Sequence, residues 1–186
     1  EVTENKTAPT ANAGPDKRLD CIAITATLEG SGLGNPTWSG PGITPTNAQQ
    51  QQPVINQPGQ YVFQLTDAAN GCVGTDTVIV TRETTPPVVN AGPNQTITCA
   101  TPNATLDGSA SPSGTGLALQ WKAPNGTALG SAPTQTANTS GLYILTIKNT
   151  QTGCFASDSV LVLDDKTPPP VNAGPDQTLT CKTTSV

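Results

Sequence analysis

Few side chains in this sequence could do chemistry. The chain has five cysteines and thirteen carboxylates, with no histidine and no methionine. Without histidine, a Ser-His-Asp triad and most catalytic zinc sites are excluded. Paired carboxylates in a cleft could hydrolyse glycosides, but the aspartates are scattered: Asp67, Asp76, Asp107, Asp158, Asp164 and Asp165. The sequence therefore predicts a protein that is not an enzyme and that needs no cofactor.

The cysteines belong to an internal repeat. The phrase NAGP begins at Asn12, Asn90 and Asn172. A first cysteine follows nine residues after each of these asparagines: Cys21, Cys99 and Cys181. A second cysteine, preceded by glycine, closes each complete copy: Cys72 and Cys154. The repeat predicts four segments: the end of a preceding repeat (1–11), repeat 1 (12–86), repeat 2 (87–168) and the start of an incomplete repeat 3 (169–186).

The periodicity predicts one disulfide in each complete repeat. The expected pairs are Cys21–Cys72 and Cys99–Cys154, with the partner of Cys181 beyond the end of the chain. Four cysteines allow three pairings, and the periodicity alone favours this one. A free reactive thiol at Cys181 is the alternative. Disulfides form in oxidising compartments, so we expect an extracellular or cell-surface protein.

Alternating apolar residues predict strands. QYVFQLT (60–66) and LYILTIK (142–148) place every second side chain on one face, and each is followed by a second alternating run, DTVIVT or DSVLVL. Each pair reads as a β-hairpin. About seven short strands per repeat predict tandem Ig-like (PKD-like) β-sandwiches. The aromatic residues at matching positions are the expected core: Trp38, Tyr61, Trp121 and Tyr143.

Consecutive prolines join the repeats in ETTPPVVNAGP (83–93) and DKTPPPVNAGP (165–175). Proline-rich segments stay extended, so we expect a semi-rigid rod of sandwiches. Carboxylates beside the second linker are weak candidates for a calcium site between repeats: Asp164, Asp165 and Asp176. No other metal ligands are expected.

The charge and composition exclude two classes of partner. The net charge is −5, with eight Lys and Arg, whereas nucleic-acid binding needs clustered cations. No apolar stretch approaches the roughly 20 residues of a membrane-spanning helix, so no membrane insertion is expected.

If alternate valines of 76–81 and 158–163 face the core, then Ile79, Leu161 and Leu163 face outward. Such a row can mark a contact between chains.

The order NAGPDQTLTC, L-D-G-S, W, P-G-x-Y, N-G-C, D-T-V and T-P-P resembles the PKD-like and Ig-like repeats of giant Bacteroidota surface proteins. These include gliding-motility adhesins and filamentous appendages exported by type IX secretion. The resemblance covers nearly the whole chain. It implies a non-catalytic shaft of a surface adhesin or filament that serves attachment, gliding or the capture of prey or surfaces.

The partners expected from this resemblance are neighbouring repeats of the same long chain and an unidentified surface or cell target. Several chains bundled into a homo-oligomeric fibre are a further hypothesis. The alternative function is a carbohydrate-binding accessory module of a secreted hydrolase. That alternative requires exposed aromatic residues.

Overall fold

The structure is a computed structural model that describes residues 4–168, 170–174, 176 and 181. It contains two successive β-sandwiches. The strands of the first are β1 (Lys17–Asp20), β2 (Ala26–Thr27), β3 (Asn35–Ser39), β4 (Val54–Ile55), β5 (Gly59–Thr66) and β6 (Val73–Glu83). Those of the second are β7 (Gln95–Thr98), β8 (Ala104–Asp107), β9 (Leu117–Lys122), β10 (Ala128–Gly130), β11 (Thr134–Ala137), β12 (Gly141–Asn149) and β13 (Phe155–Asp165).

The two sandwiches share one topology, except that the second has an additional edge strand, β10. In the first, a sheet with strand order β1-β6-β5-β3 faces the short pair β2-β4. In the second, β10-β9-β12-β13-β7 faces β11-β8. The first strand pairs in parallel with the last in both cases, β1 with β6 and β7 with β13. The predicted all-β, Ig-like class is confirmed, and no helix able to cross a membrane occurs in the described residues.

Each sandwich buries the alternate side chains of its central hairpin. Tyr61, Phe63 and Leu65 of β5 are fully buried, and so are Val78 and Val80 of β6. The corresponding residues of the second core are Tyr143, Leu145, Ile147, Val160 and Val162. Period-two alternation places one side chain in two on the inner face of a strand, so these residues form a core from short segments of sequence.

A tryptophan lies at the centre of each core. Trp38 of β3 and Trp121 of β9 are fully buried, and each indole N–H donates to a backbone carbonyl, that of Gln51 (3.2 Å) or Pro133 (3.3 Å). Their rings lie against a glycine of the repeated Leu-acid-Gly-Ser phrase. A Cβ on Gly30 would lie 2.8 Å from Cζ2 of Trp38, and one on Gly108 would lie 3.1 Å from Cζ2 of Trp121.

The NAGP phrase is tied to the last strand of its own repeat. The backbone N–H of Ala13 donates to Oδ2 of Asp76 at 2.8 Å, and the N–H of Ile79 donates to Oδ1 of Asp16 at 2.9 Å. In the second repeat, the N–H of Ala91 donates to Asp158 at 2.9 Å and the N–H of Leu161 donates to Asn94 at 2.9 Å. We call each such set of bonds an NAGP anchor.

The turn inside the NAGP phrase is encoded locally. The asparagine side chain accepts a hydrogen bond from the glycine N–H two residues later, at 2.8 Å, in all three copies. Gly174 and Asn172 also form this bond, although Pro175 and most of the residues after it are outside the described set. An Asx turn needs only these neighbouring residues, whereas the anchor also needs the distant aspartate.

Prediction 1 concerns the glycine beneath the tryptophan. We expect Gly108→Ala to lower the free energy of unfolding by about 1–3 kcal/mol, because a Cβ there overlaps buried side chains in a packed core. Urea denaturation followed by tryptophan fluorescence measures it. Thr37→Ala, an exposed strand substitution, is the control and should change stability by less than about 0.5 kcal/mol. An equally small effect of Gly108→Ala would contradict the packing described.

Candidate functional site: the junction between the sandwiches

The cysteines of one repeat lie at opposite ends of their sandwich. β1 runs parallel to β6, and Asp20 lies opposite Glu83. Cys21 comes directly after Asp20, so it lies beside the C-terminal end of β6. Cys72 precedes Val73, the first residue of the same strand. A strand of eleven residues at roughly 3.3 Å each spans about 35 Å. A disulfide needs its Cα atoms within about 7 Å, so Cys21 cannot reach Cys72.

The second sandwich has the same arrangement. Thr98 lies opposite Asp165 at the end of β13, so Cys99 lies at that end. Cys154 immediately precedes Phe155, where β13 begins. The predicted pairs Cys21–Cys72 and Cys99–Cys154, and with them one disulfide per sandwich, are therefore wrong. The spacing of the cysteines indicates a repeat, but it does not reveal which end of the sandwich each cysteine occupies.

The disulfide instead joins the two sandwiches. Cys21 is bonded to Cys154 with a Cα–Cα distance of 5.1 Å, and the bond closes a loop of 133 positions. The first cysteine of repeat 1 is thus paired with the second cysteine of repeat 2. Cys154 is 1 % exposed, whereas Cys21 is exposed. The predicted partner of Cys181, beyond the end of the chain, stays a prediction.

Polar contacts surround this disulfide. The backbone N–H of Cys21 donates to the carbonyl of Thr152 at 3.0 Å. The guanidinium of Arg18 forms salt bridges with Asp20 (3.1 Å) and Glu83 (3.3 Å) of its own sandwich. It also donates to the carbonyl of Gln151 in the other sandwich at 3.3 Å. One arginine therefore bonds to both sides of the junction, beside the covalent link.

The turn of the second sandwich that enters the junction is shaped by a glycine. Gly153 has φ 72°, a left-handed conformation that side chains disfavour. It is also covered, since a Cβ at this position would overlap the side chain of Ile22. The Gly-Cys phrase that closes each repeat therefore suits both the turn and the close approach of the neighbouring sandwich.

The linker between the sandwiches follows the surface of the second one. The anchor places Ala91 beside Asp158 and Asn94 beside Leu161, and β7 continues the same track along β13 as far as Asp165. The chain after Glu83 thus runs from the junction along the length of β13. The hydrogen bonds of the anchor hold the latter part of this segment to the sandwich.

The candidate catalytic aspartates have structural roles. Hydrogen bonds from the backbone N–H groups of Ala13 and then Thr77 hold the pKa of Asp76 below its ordinary value of 3.8. Bonds from Ala91 and then Ser159 do the same to the pKa of Asp158. These two carboxylates lie in different sandwiches, each in its own anchor, so they do not form a catalytic pair. Their part in the anchors was missed from sequence because the NAGP partner lies more than sixty residues away.

The calcium candidates do not form a cluster. Across the described residues, no group of three or more His, Cys, Asp or Glu side chains could hold a metal ion. Asp164 pairs with Lys166 at 3.3 Å, and Asp165 and Asp176 are exposed. An inter-repeat calcium site stays a prediction.

The aromatic residues are in the cores. The expected core residues Trp38, Tyr61, Trp121 and Tyr143 are buried, and Phe63 packs against Trp38 with ring centroids 4.6 Å apart. The sixth aromatic residue, Phe155, is 65 % exposed. It borders a shallow hollow on the outer face of the second sandwich with Ala118, Gln120, Thr146 and Lys148. One ring is a small platform for sugar stacking.

The chain was compared with protein-family models, curated proteins and solved structures. No protein-family model matches it. A protein of Mus musculus described as "Dyslexia-associated protein KIAA0319-like protein" is 32% identical over 205 residues, which is 91% of this chain and 19% of that protein. The chain therefore spans about a fifth of the length of this curated relative.

Several solved structures align with this chain at low sequence identity. Sidekick-1 immunoglobulin domains 1–5 align over 88% of this chain and 40% of that chain, with a TM-score of 0.45 and 15% identity. Titin domains I67–I69 align over 86% and 64%, with a TM-score of 0.44 and 13% identity. The PKD domain from KIAA 1837 protein aligns over 47% and 96%, with a TM-score of 0.32 and 26% identity. The strand topology described above shows two tandem Ig-like sandwiches.

Prediction 2 concerns acid. A depressed folded-state pKa stabilises the fold fully above pH 3.8 and loses that stabilisation as pH falls through the folded value. We therefore expect the double variant Asp76→Asn, Asp158→Asn to be less stable at pH 7, by about 0.5–1 kcal/mol per site, because solvent screens these accessible carboxylates and Asn keeps one acceptor oxygen. We also expect it to lose less stability than the wild type as pH falls below 3.8.

Urea denaturation from pH 7 to pH 2 measures both effects. Asp164→Asn, which removes an exposed charge outside the anchors, is the matched control and should follow the wild type closely. If the double variant and the wild type lose stability in parallel on acidification, the anchors do not depend on ionised aspartates.

Proposed function

We propose that this chain is a shaft segment of a long extracellular repeat protein, and that its work is mechanical. The observation that carries the proposal is the Cys21–Cys154 bond between successive sandwiches. A covalent link at a domain junction limits how far the junction can open under load. Disulfides persist in oxidising compartments, which suits a secreted or surface-exposed protein.

The disulfide changes the path that a stretching force takes through the chain. A load applied to the two ends enters along β1, crosses from Cys21 to Cys154 and leaves along β13. The residues between the two cysteines lie in a closed covalent loop, so the load bypasses most of both cores. Even if the sandwiches unfolded, this loop could not lengthen until the bond broke.

The sequence resemblance extends this proposal to a class of parent protein. A giant Bacteroidota adhesin or appendage protein exported by type IX secretion, serving attachment, gliding or capture, would need a long shaft that resists extension. In this proposal the chain supplies the shaft and not the adhesive specificity. Neighbouring repeats are its first expected partners.

The alternative, a carbohydrate-binding module of a secreted hydrolase, has less support. Stacking on sugar rings needs exposed aromatic faces, and five of the six aromatic residues are buried in the two cores. Phe155 is the remaining one. The shaft proposal uses the junction, whereas the alternative leaves the junction without a role.

Prediction 3 is the mechanical test. We pull single molecules of the chain from its two ends, with and without a reductant. The loop of 133 positions should add about 45 nm of contour length on unfolding only after reduction, at roughly 3.4 Å per residue. Cys21→Ser should show the long extension without reductant, and Cys72→Ser, which leaves the junction intact, should behave as the wild type. Full extension of the oxidised wild type would refute a load path through the disulfide.

A second feature favours side-by-side packing of shafts. Leu142 and Leu161 are opposite one another on the outer face of β12 and β13, and Ile144 and Leu163 extend the same exposed row. Water-exposed apolar rows of this kind mark contact surfaces. The proposal is that chains pack laterally through this row into a fibre.

Prediction 4 tests lateral packing. Small-angle scattering over rising protein concentration should show an increase in cross-sectional radius for the wild type. Leu161→Lys with Leu163→Lys should abolish the increase, because it places charges in the apolar row. The control pair Thr37→Lys and Thr75→Lys adds the same charge at exposed positions of the first sandwich. A wild type that stays monomeric at the highest concentration would exclude lateral packing.

A further inference from the structure

Two free cysteines occupy the same positions within their repeats as the two cysteines that form the junction disulfide. Cys72 and Cys99 are free in the described part of the chain. Cys72 has in the first sandwich the place that Cys154 has in the second, and Cys99 has the place of Cys21. Because the two cysteines of a repeat lie at opposite ends of it, Cys72 and Cys99 lie at the ends facing away from the existing junction.

The turn that carries Cys72 has the form of the turn already docked. In 67–72 and in 149–154, the N–H of the first residue donates to the carbonyl of the cysteine, at 2.9 and 2.8 Å. The glycine N–H donates back to the first residue, at 2.8 Å in both. The glycines have φ 73° and 72°. The turn 67–72 is thus already built like the turn that docks at the junction.

The two turns differ in what covers them. Gly153 is buried against Ile22, whereas a Cβ on Gly71 would meet no described atom within 4 Å. Cys154 is 1 % exposed, and Cys72 is only half-buried. A turn of docking shape, with its cysteine partly exposed, is therefore presented at the outer end of the first sandwich.

The turn that contains the first cysteine of each repeat, which we call the receiving side of the junction, also has the same form in both sandwiches. The turns 20–23 and 98–101 are each closed by a backbone bond of 2.9 Å from the first residue to the carbonyl of the last. The thiol of Cys99 lies 3.6 Å from the carbonyl of Lys166, just past the end of β13. At the junction, the Cys154 sulfur lies 3.7 Å from the carbonyl of Glu83, at the end of β6.

We propose that Cys72 and Cys99 are open halves of two further junctions of the same kind, each made with another repeat of this type. Cys99 bonds to the second cysteine of a following repeat, and Cys72 bonds to the first cysteine of a preceding one. Each bond forms by thiol–disulfide exchange, in which two thiols become a disulfide and a low-molecular-weight disulfide such as oxidised glutathione accepts the two electrons and two protons as two thiols.

In this proposal, the first cysteine of each repeat bonds to the second cysteine of the next repeat. A mechanical role for these bonds rests on the proposed shaft function. Bonds that always run from a repeat to the next would give two interleaved covalent threads. Each covalent path runs from the second cysteine of one repeat through the last strand of that repeat and the following linker. It ends at the first cysteine of the next repeat, where the next disulfide begins. The segments Cys72–Cys99 and Cys154–Cys181 both span 27 positions, whereas the cysteines within a repeat are 51 and 55 positions apart. The segments that would carry load keep a constant length.

Prediction 5 uses a second copy of the chain as the probe. Two variants are made, each with Cys181→Ser. One also carries Cys72→Ser and keeps the Cys99 thiol, and the other carries Cys99→Ser and keeps the Cys72 thiol. They are mixed in equal amounts in a glutathione redox buffer, and the cross-linked peptides are quantified by mass spectrometry without reduction. The Cys21–Cys154 peptide is the internal reference.

The expected product is the mixed Cys72–Cys99 disulfide, at least tenfold above either symmetric disulfide. Random coupling of exposed thiols would make the mixed product only half of the total, and that result overturns the proposal. So does an absence of cross-links between chains, or a bond within one repeat. The mixing result is independent of the pulling result, because the latter depends on Cys21–Cys154 alone.

A matched substitution tests whether the receiving surface is the one described. Thr96 is the counterpart of Arg18, and Asp165 is the counterpart of Glu83 by strand register. Thr96→Arg in the copy that keeps Cys99 would recreate the guanidinium that spans the existing junction. It should raise the mixed product about two- to fivefold, the range of a partly exposed ion pair. No increase, or an equal increase in the symmetric products, would show that the thiols do not meet in this geometry.

Discussion

The parallel pairing of the first strand with the last determines where chemistry can occur in this protein. Since β1 runs parallel to β6 and β7 runs parallel to β13, the cysteine after the first strand and the cysteine before the last strand are separated by the length of the sandwich. Neither repeat can close its own disulfide. Within the part of the chain that the structure describes, the cysteine that meets Cys21 at its end of the sandwich is Cys154 of the next repeat.

The anchors and the junction work together through this geometry. Asp76 and Asp158 hold each NAGP phrase on the last strand, which aligns the following strand in parallel with it. That alignment places the first cysteine beside the C-terminal end of the last strand. There, Arg18 and the turn that ends at Cys154 complete the contact between the sandwiches. The repeated aspartate at the start of the last strand thus positions a cysteine that it never touches.

Much of the fold follows from the sequence, while the site does not. The alternation in QYVFQLT and LYILTIK predicts which side chains enter the core, because strand periodicity is a local property. The Asx turn of NAGP is equally local. The disulfide pairing is not, since a period of one first and one second cysteine per repeat is satisfied equally by bonds within repeats and by bonds from each repeat to the next. Only strand order distinguishes them, and the hydrogen bond from Ala13 to Asp76 that helps set this order leaves no pattern between neighbouring residues.

The most direct test of this account is a disulfide map of the oxidised chain. Free thiols are blocked at acidic pH to prevent exchange, the chain is digested without reduction, and the linked peptides are identified by mass spectrometry. The account predicts a Cys21–Cys154 peptide pair, with Cys72 and Cys99 recovered as blocked thiols in the monomer. Recovery of Cys21 linked to Cys72, or of Cys99 linked to Cys154, would contradict the parallel strand order and the junction built upon it.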